Sequence, residues 1–246
     1  MRRIVIFCAL CVLFFYGNAQ KIDTELAYLV HEPAKKTAKT PVLILLHGYG
    51  SNEGDLFDLS KAVDPAFIVF SVRGPQPAGS GYAWYNLEFL ADQQFRYDYK
   101  QAQQSRRQVL SFISKACAAY GVDSSQVFLM GFSQGAIMSY DMALAAPKKI
   151  KGVLALSGRM MEESKKLKTD WTKLAAVKFF IAHGYSDNVI KIADAEKAHE
   201  FLKSKKVTDL TYKAYEMPHV LNGKELNDIK VWLTKAISPE KEQTKK

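Results

Sequence analysis

Cysteine is scarce in this chain: three residues in 246, and two of them, Cys8 and Cys11, fall within the first nineteen. A chain that loses that segment keeps Cys117 alone, which excludes an intramolecular disulfide framework and any CxxC redox or zinc motif. Histidine is sparse too, at five. None of the five has HExxH or HxH spacing, so neither a metal nor any other cofactor is expected. No apolar run reaches the roughly 20 residues that cross a bilayer; the longest is "IVIFCALCVLFFY", residues 4–16. Repeats and low-complexity tracts are missing, which excludes solenoids and arrays. Acidic side chains are in deficit, giving a net charge of +9. The basic excess is spread over "KKTAK", "ESKKLK", "KSKK" and "EKEQTKK" rather than gathered in one stripe with aromatics, so nucleic acid is not an expected partner.

What is present begins with "MRR", the short apolar run and then "GNA", with Gly17 and Ala19 at the small-residue positions before a cleavage point. This pattern predicts a signal peptide over residues 1–19, cut before Gln20, and an exported protein, periplasmic or extracellular, with no stable membrane anchor once the leader is gone. At 48% hydrophobic, residues 20–238 are enough for one α/β domain with a sizeable core. Residues 239–246 are expected to be a disordered basic tail. The oligomeric state is left open.

Short Val, Ile, Leu and Phe runs recur as "PVLILLHG", "FIVFSVRG", "QVFLMGF", "IKGVLALSG" and "VKFFIAHG". They read as buried parallel strands. Helical periodicity lies between and after them, over Gly54 to Val63, Tyr97 to Tyr120, Gln134 to Ala145, Lys191 to Lys203 and Gly223 to Ile237. "TELAYLVHEP" can pair antiparallel at an edge, and "DLTYKAYEM" supplies a late strand. Alternation of this kind predicts a mostly parallel sheet with helices on both faces, and its ligand site beyond the carboxyl ends of the strands.

One stretch turns from strand to helix with no loop between: "VFLMGFSQGAIMSYDMAL", residues 127–144. A residue at so abrupt a bend projects its side chain above the sheet and crowds the positions two before and two after, where Gly131 and Gly135 stand. The first N–H groups of the helix lie beside the same side chain, where negative charge develops in acyl transfer. Ser133 is therefore a candidate nucleophile. Its hydroxyl needs a base, and a histidine base needs an acid that fixes its tautomer. His31 falls on the expected edge strand and His199 on a charged helix face. His47 and His183 each precede glycine at a strand end, where they are expected to shape the turn. His219, in the irregular "MPHVLN", is left as the base. Asp187 follows "VKFFIAHGYS" at a strand end, whereas Asp141, Asp194 and Asp228 fall within helical patterns. Cys117 shares an apolar helical face with Val109, Ile113 and Tyr120 and reads as a small buried hydrophobe.

At these residues the chain resembles the phospholipase/carboxylesterase family of α/β-hydrolases, from about Pro41 to Trp232. "LLHGYGSNEGDLFDLS" is similar to the family's oxyanion loop, "GFSQGAIMS" to its nucleophile elbow, "HGYSDNVI" to its acid loop and "MPHVLNGKELNDIKVWL" to its histidine loop and last helix. The resemblance implies the α/β-hydrolase fold and a serine carboxylic-ester hydrolase working through an acyl-enzyme. Ser133 would be nucleophile, Asp187 orienting acid and His219 base, with the backbone N–H groups of Tyr49 and Gln134 forming the oxyanion hole. Asn188 and Lys191 stand where the family often has proline, and Pro218 where it commonly has glycine. Lysophospholipase or thioesterase activity is an alternative, and a non-catalytic binding module on the same scaffold is another. The expected partner is a small-molecule, lipid or sugar ester.

Between "FIVFSV" and the long helix the chain carries Tyr82, Trp84, Tyr85, Phe89, Phe95 and Tyr97. That is too many aromatics for a plain surface connection. Two roles are open to them: core packing against the sheet, or Trp84 and Tyr85 as the walls of a substrate groove beside Ser133. The second predicts a preference for short-chain or aromatic acyl esters.

Overall fold

The computed structural model describes residues 22–89 and 95–238; the expected signal peptide and basic tail lie outside the described residues. In chain order the elements are β1 (Tyr28–His31), β2 (Val42–Leu46), a 3-10 turn (Phe57–Lys61), β3 (Ile68–Val72), β4 (Gln76–Ala78), β5 (Gly81–Ala83), β6 (Leu87–Phe89) and β7 (Phe95–Tyr97). They continue with α1 (Tyr99–Tyr120), β8 (Val127–Phe132), α2 (Gln134–Ala145), β9 (Gly152–Leu156), the short α3 (Glu162–Lys165) and α4 (Trp171–Leu174), β10 (Lys178–Gly184), α5 (Ile192–Ser204), β11 (Leu210–Tyr215) and α6 (Gly223–Ile237). Seven strands form one sheet in the order β1-β3-β2-β8-β9-β10-β11, parallel except for β1, which pairs antiparallel with β3 at the edge.

The parallel strands are buried on both faces because their residues serve two cores in alternation. In β2, Val42, Ile44 and Leu46 belong to the core on the face covered by α1, α2 and α5, while Leu43 and Leu45 belong to the core on the face that α6 covers with Ile229, Trp232 and Leu233. This is the mostly parallel sheet covered on both faces that the alternation of strands and helices predicts. Asp98 caps α1 by accepting from the Gln101 N–H, and Gly121 ends it at φ 63°, a left-handed backbone that glycine adopts without strain. Cys117 lies buried on the core face of that helix.

One expectation changes. The helix expected over Gly54 to Val63 is only the 3-10 turn Phe57–Lys61. Asn52 accepts from the Gly54 N–H and Glu53 pairs with Arg73, which draws the chain away from a helical path. The aromatic segment after β3 forms two small hairpins, β4 with β5 and β6 with β7.

Candidate active site

Everything chemical gathers at the carboxyl ends of β2, β8, β10 and β11. Ser133 lies between β8 and α2 with no intervening residue and holds φ 55°, ψ −116°. A non-glycine residue in so sparsely populated a region costs about 1–3 kcal/mol, which the surrounding bonds must offset. The Ser133 N–H donates to Leu156 O at 2.9 Å, and Ser133 O accepts from Ala136 and Ile137. The two flanking glycines are required by space. A Cβ on Gly131 would come within 2.2 Å of the Gly135 backbone, and one on Gly135 within 1.9 Å of Leu46 O.

Asp187 and His219 come from neighbouring loops. β10 and β11 pair in register from Phe179 with Leu210 to Gly184 with Tyr215, so the turns that follow them emerge side by side. Gly184 admits the second turn: a Cβ there would lie 2.2 Å from Met217 O. Ser133 Oγ stands 2.9 Å from His219 Nε2, and His219 Nδ1 stands 2.7 Å from Asp187 Oδ2. The side chain of Asp187 is fully buried, and its Oδ1 accepts the N–H groups of Val189 and Ile190 at 2.8 and 2.9 Å. The His219 ring is tilted against Phe132, centroids 4.9 Å apart. Of the five histidines, the structure brings only His219 to Ser133. His31 lies on β1 and His199 on α5, facing Glu200.

Gln134 is the first residue of α2, so its N–H is one that the helix itself leaves unsatisfied. Gly48 packs directly on Ser133, a Cβ built on it lying 3.5 Å from Ser133 Cβ, and Tyr49 is the next residue of the chain. The loop that carries them is held from several sides. His47 Nδ1 donates to Gly48 O at 2.7 Å, and its Nε2 accepts the Gly74 N–H at 2.9 Å. Burial holds His47 below the ordinary histidine value, which keeps that acceptor in place. Gly50 N–H donates to Tyr82 O, and Arg73 pairs with Glu53 while lying 4.4 Å from the Tyr82 ring.

Trp84 and Tyr85 require a correction. Both are almost wholly buried, at 0% and 1% exposure, so neither presents a groove wall. The Trp84 indole N–H donates to His47 O at 2.9 Å, beneath the loop that carries Tyr49. Their backbones are gripped by Gln134, whose Oε1 accepts Trp84 N–H at 2.8 Å and whose Nε2 donates to Tyr85 O at 2.7 Å. The core reading of these aromatics holds for this pair. The side chain of Gln134 makes contacts that sequence reasoning missed, because a glutamine after a candidate nucleophile suggests only its N–H.

Four exposed apolar side chains lie on the loops around the triad: Tyr49 after β2, Tyr185 and Val189 after β10, and Val220 after β11. A cleft of about 710 Å³, lined by Gln126, Lys151, Lys178, Asp209 and Trp232, lies at the amino-terminal ends of the strands and is no part of this site. Among the described residues, no cluster of three or more His, Cys, Asp or Glu is arranged to hold a metal ion, and no helix is long and apolar enough to cross a membrane.

Residues 29–237 match the family model described as Phospholipase/Carboxylesterase. The chain is 27% identical over 221 residues to acyl-protein thioesterase 1 of Yarrowia lipolytica, covering 85% of this chain and 96% of that one. It is 28% identical over 182 residues to esterase YpfH of Escherichia coli, covering 72% and 74%. Among solved structures, the Bacillus cereus carboxylesterase superimposes with a TM-score of 0.76 at 25% identity, over 87% of this chain and 96% of that one.

Proposed function

The chain belongs to the phospholipase/carboxylesterase family and is a hydrolase of the carboxylesterase/thioesterase class, and from that premise we propose that it cleaves its ester with Ser133, His219 and Asp187 as a catalytic triad. The observation that carries this reading is the unbroken hydrogen-bond chain from Ser133 Oγ through both nitrogens of His219 to Asp187. His219 Nε2 takes the proton as Ser133 Oγ attacks the acyl carbon. Asp187 accepts from Nδ1–H, which leaves Nε2 bare to do so. The oxyanion points toward the N–H groups of Gln134 and Tyr49, donors held by the helix start and by the bonded loop rather than recruited during the reaction. The imidazolium then protonates the departing alcohol or thiol, and water, activated by the same histidine, releases the acid.

The substrates we propose are short-chain or aromatic acyl esters. With Trp84 and Tyr85 buried, support comes from the exposed side chains of Tyr49, Tyr185, Val189 and Val220. On such an open rim an acyl group beyond a few carbons stays in contact with water, so added length contributes little. A thioester is the second reading, favoured by the relatives named acyl-protein thioesterase. We also propose export, on the leader pattern of residues 1–19; protein recovered from an exporting host should begin at Gln20, and an intact mass that keeps residues 1–19 would refute it.

A fluorophosphonate probe, followed by a panel of p-nitrophenyl and thioester substrates from C2 to C16, tests the rest. Labelling at Ser133 and a kcat/KM maximum between C2 and C6 are expected. Absence of labelling would overturn the triad and leave a binding module, and a maximum at C12 or above would move the activity to lysophospholipase.

A further inference from the structure

His183 is a buried histidine that the triad does not include. It lies on β10 four residues before Asp187, with none of its side chain exposed. Its Nε2 stands 2.8 Å from Ile190 O, an acceptor only, so the ring proton is on Nε2. The same nitrogen lies 3.2 Å from Asp187 Oδ2, the oxygen that also meets His219. With the N–H groups of Val189 and Ile190 on Oδ1 and His219 Nδ1 on Oδ2, Asp187 has three hydrogen-bond donors, and the His183 N–H, whose bond goes to Ile190 O, is a further polar group close to Oδ2. No other charged side chain is bonded to Asp187 among the described residues.

The opposite side of the His183 ring is just as informative. Nδ1 is buried and meets no hydrogen-bonding group among the described residues. A leucine or phenylalanine here would bury its side chain with no unmet acceptor, so histidine is the more expensive choice for a purely structural position. The N–H on Nε2 is what the alternatives lack.

We propose that His183 is a positioning residue for this triad: its N–H, bonded to Ile190 O and 3.2 Å from Asp187 Oδ2, holds the loop that carries the carboxylate and offsets part of the negative charge presented to His219. The proposal rests on the triad reading above. It makes a directional prediction, because a carboxylate without that N–H dipole beside it holds the His219 imidazolium more strongly, and His219 must shed that proton before it can act as base.

The test is the pH profile of kcat/KM for wild type, His183→Leu, His183→Gln and His183→Asn, each checked to be fully folded at the assay temperature. Glutamine puts an amide N–H near the place of Nε2; asparagine puts its own nearer Nδ1. The acid limb should move to higher pH by roughly half a unit or more in the leucine and asparagine variants and stay at the wild-type position in the glutamine variant. If the leucine variant does not fold, the glutamine and asparagine pair still decides. An unmoved acid limb in a folded leucine or asparagine variant, or a glutamine variant shifted as far as the others, overturns the proposal. Wild-type labelling at Ser133 and loss of activity in His219→Ala keep the two readings apart: if those fail the triad falls, and if they succeed while the limbs stay put only the role of His183 falls.

Discussion

Glu225, in the first turn of α6, is fully buried, and neither carboxyl oxygen meets a hydrogen-bond partner of good geometry. Its backbone N–H donates to Asn222 Oδ1 at 2.8 Å, the cap that starts the helix after the His219 loop. Burial pushes the carboxyl up to about 7 from an ordinary 4.5, opposed only by the nearby Asn222 N–H. The folded protein therefore holds this proton more tightly than the unfolded chain. The resulting stability is fully present below about pH 4.5 and is lost as pH rises through about 7. The raised affinity corresponds to about 3 kcal/mol by the end of that window. Glu225→Gln keeps the shape and removes the titration. Urea unfolding of both proteins from pH 5 to pH 9 reads the effect as a difference of differences, in which every other titrating group cancels. The variant's advantage over wild type should grow with pH and level off above pH 8, near 3 kcal/mol, or about 6–12 °C in Tm for a domain of this size. An advantage that stays flat across that range refutes the reasoning and means that Glu225 is solvated or paired.

Ser133→Ala and His219→Ala should each abolish ester hydrolysis, with the double variant little worse than either, since hydroxyl and base act as one unit; additive losses in kcat would remove one of them from the triad. Asp187→Asn should lower kcat by roughly 10⁴-fold if this acid behaves as it does in serine proteases, through the wrong imidazole tautomer; steady-state kinetics check it. Trp84→Ala should cost about 3–5 kcal/mol in urea unfolding, from an emptied core site and an unpaired His47 carbonyl. A rise in KM with stability intact would return Trp84 to the substrate. Cys117, whose thiol burial raises to about 11, should resist thiol reagents in the native enzyme, with mass spectrometry as the readout.

The fold was legible wherever burial on both faces wrote continuous apolar runs, as in "VLILL" and "FFIAHG", and where a shift to helical spacing followed at once, as after Ser133. The strand pair that sets Asp187 beside His219 was legible only as two separate strands, because their register depends on contacts far apart in the chain. The segment from Gln76 to Tyr97 was misread in part. Aromatic residues in a loop look alike in sequence whether they face a ligand or the core, and it is the bonds made by the Trp84 indole and by Gln134 that decide. His183 and His47 showed only as histidines before glycine. Their partners, Asp187 and Gly74, arrive through the folding of other loops.

The step from Trp84 to Tyr85 touches two neighbours that would otherwise be set independently. Through its indole it grips the loop that carries Tyr49; through its backbone it grips the side chain that follows Ser133. The gap between those two is thus gauged by a third piece of chain lying underneath both, as a spacer fixes the jaws of a clamp. The outward side chains of Tyr185, Val189 and Val220 make none of those bonds. On the proposed function, exchanging them alters which ester is accepted while the jaw width stays constant, so selectivity in this scaffold is free to drift without retuning the chemistry beneath it.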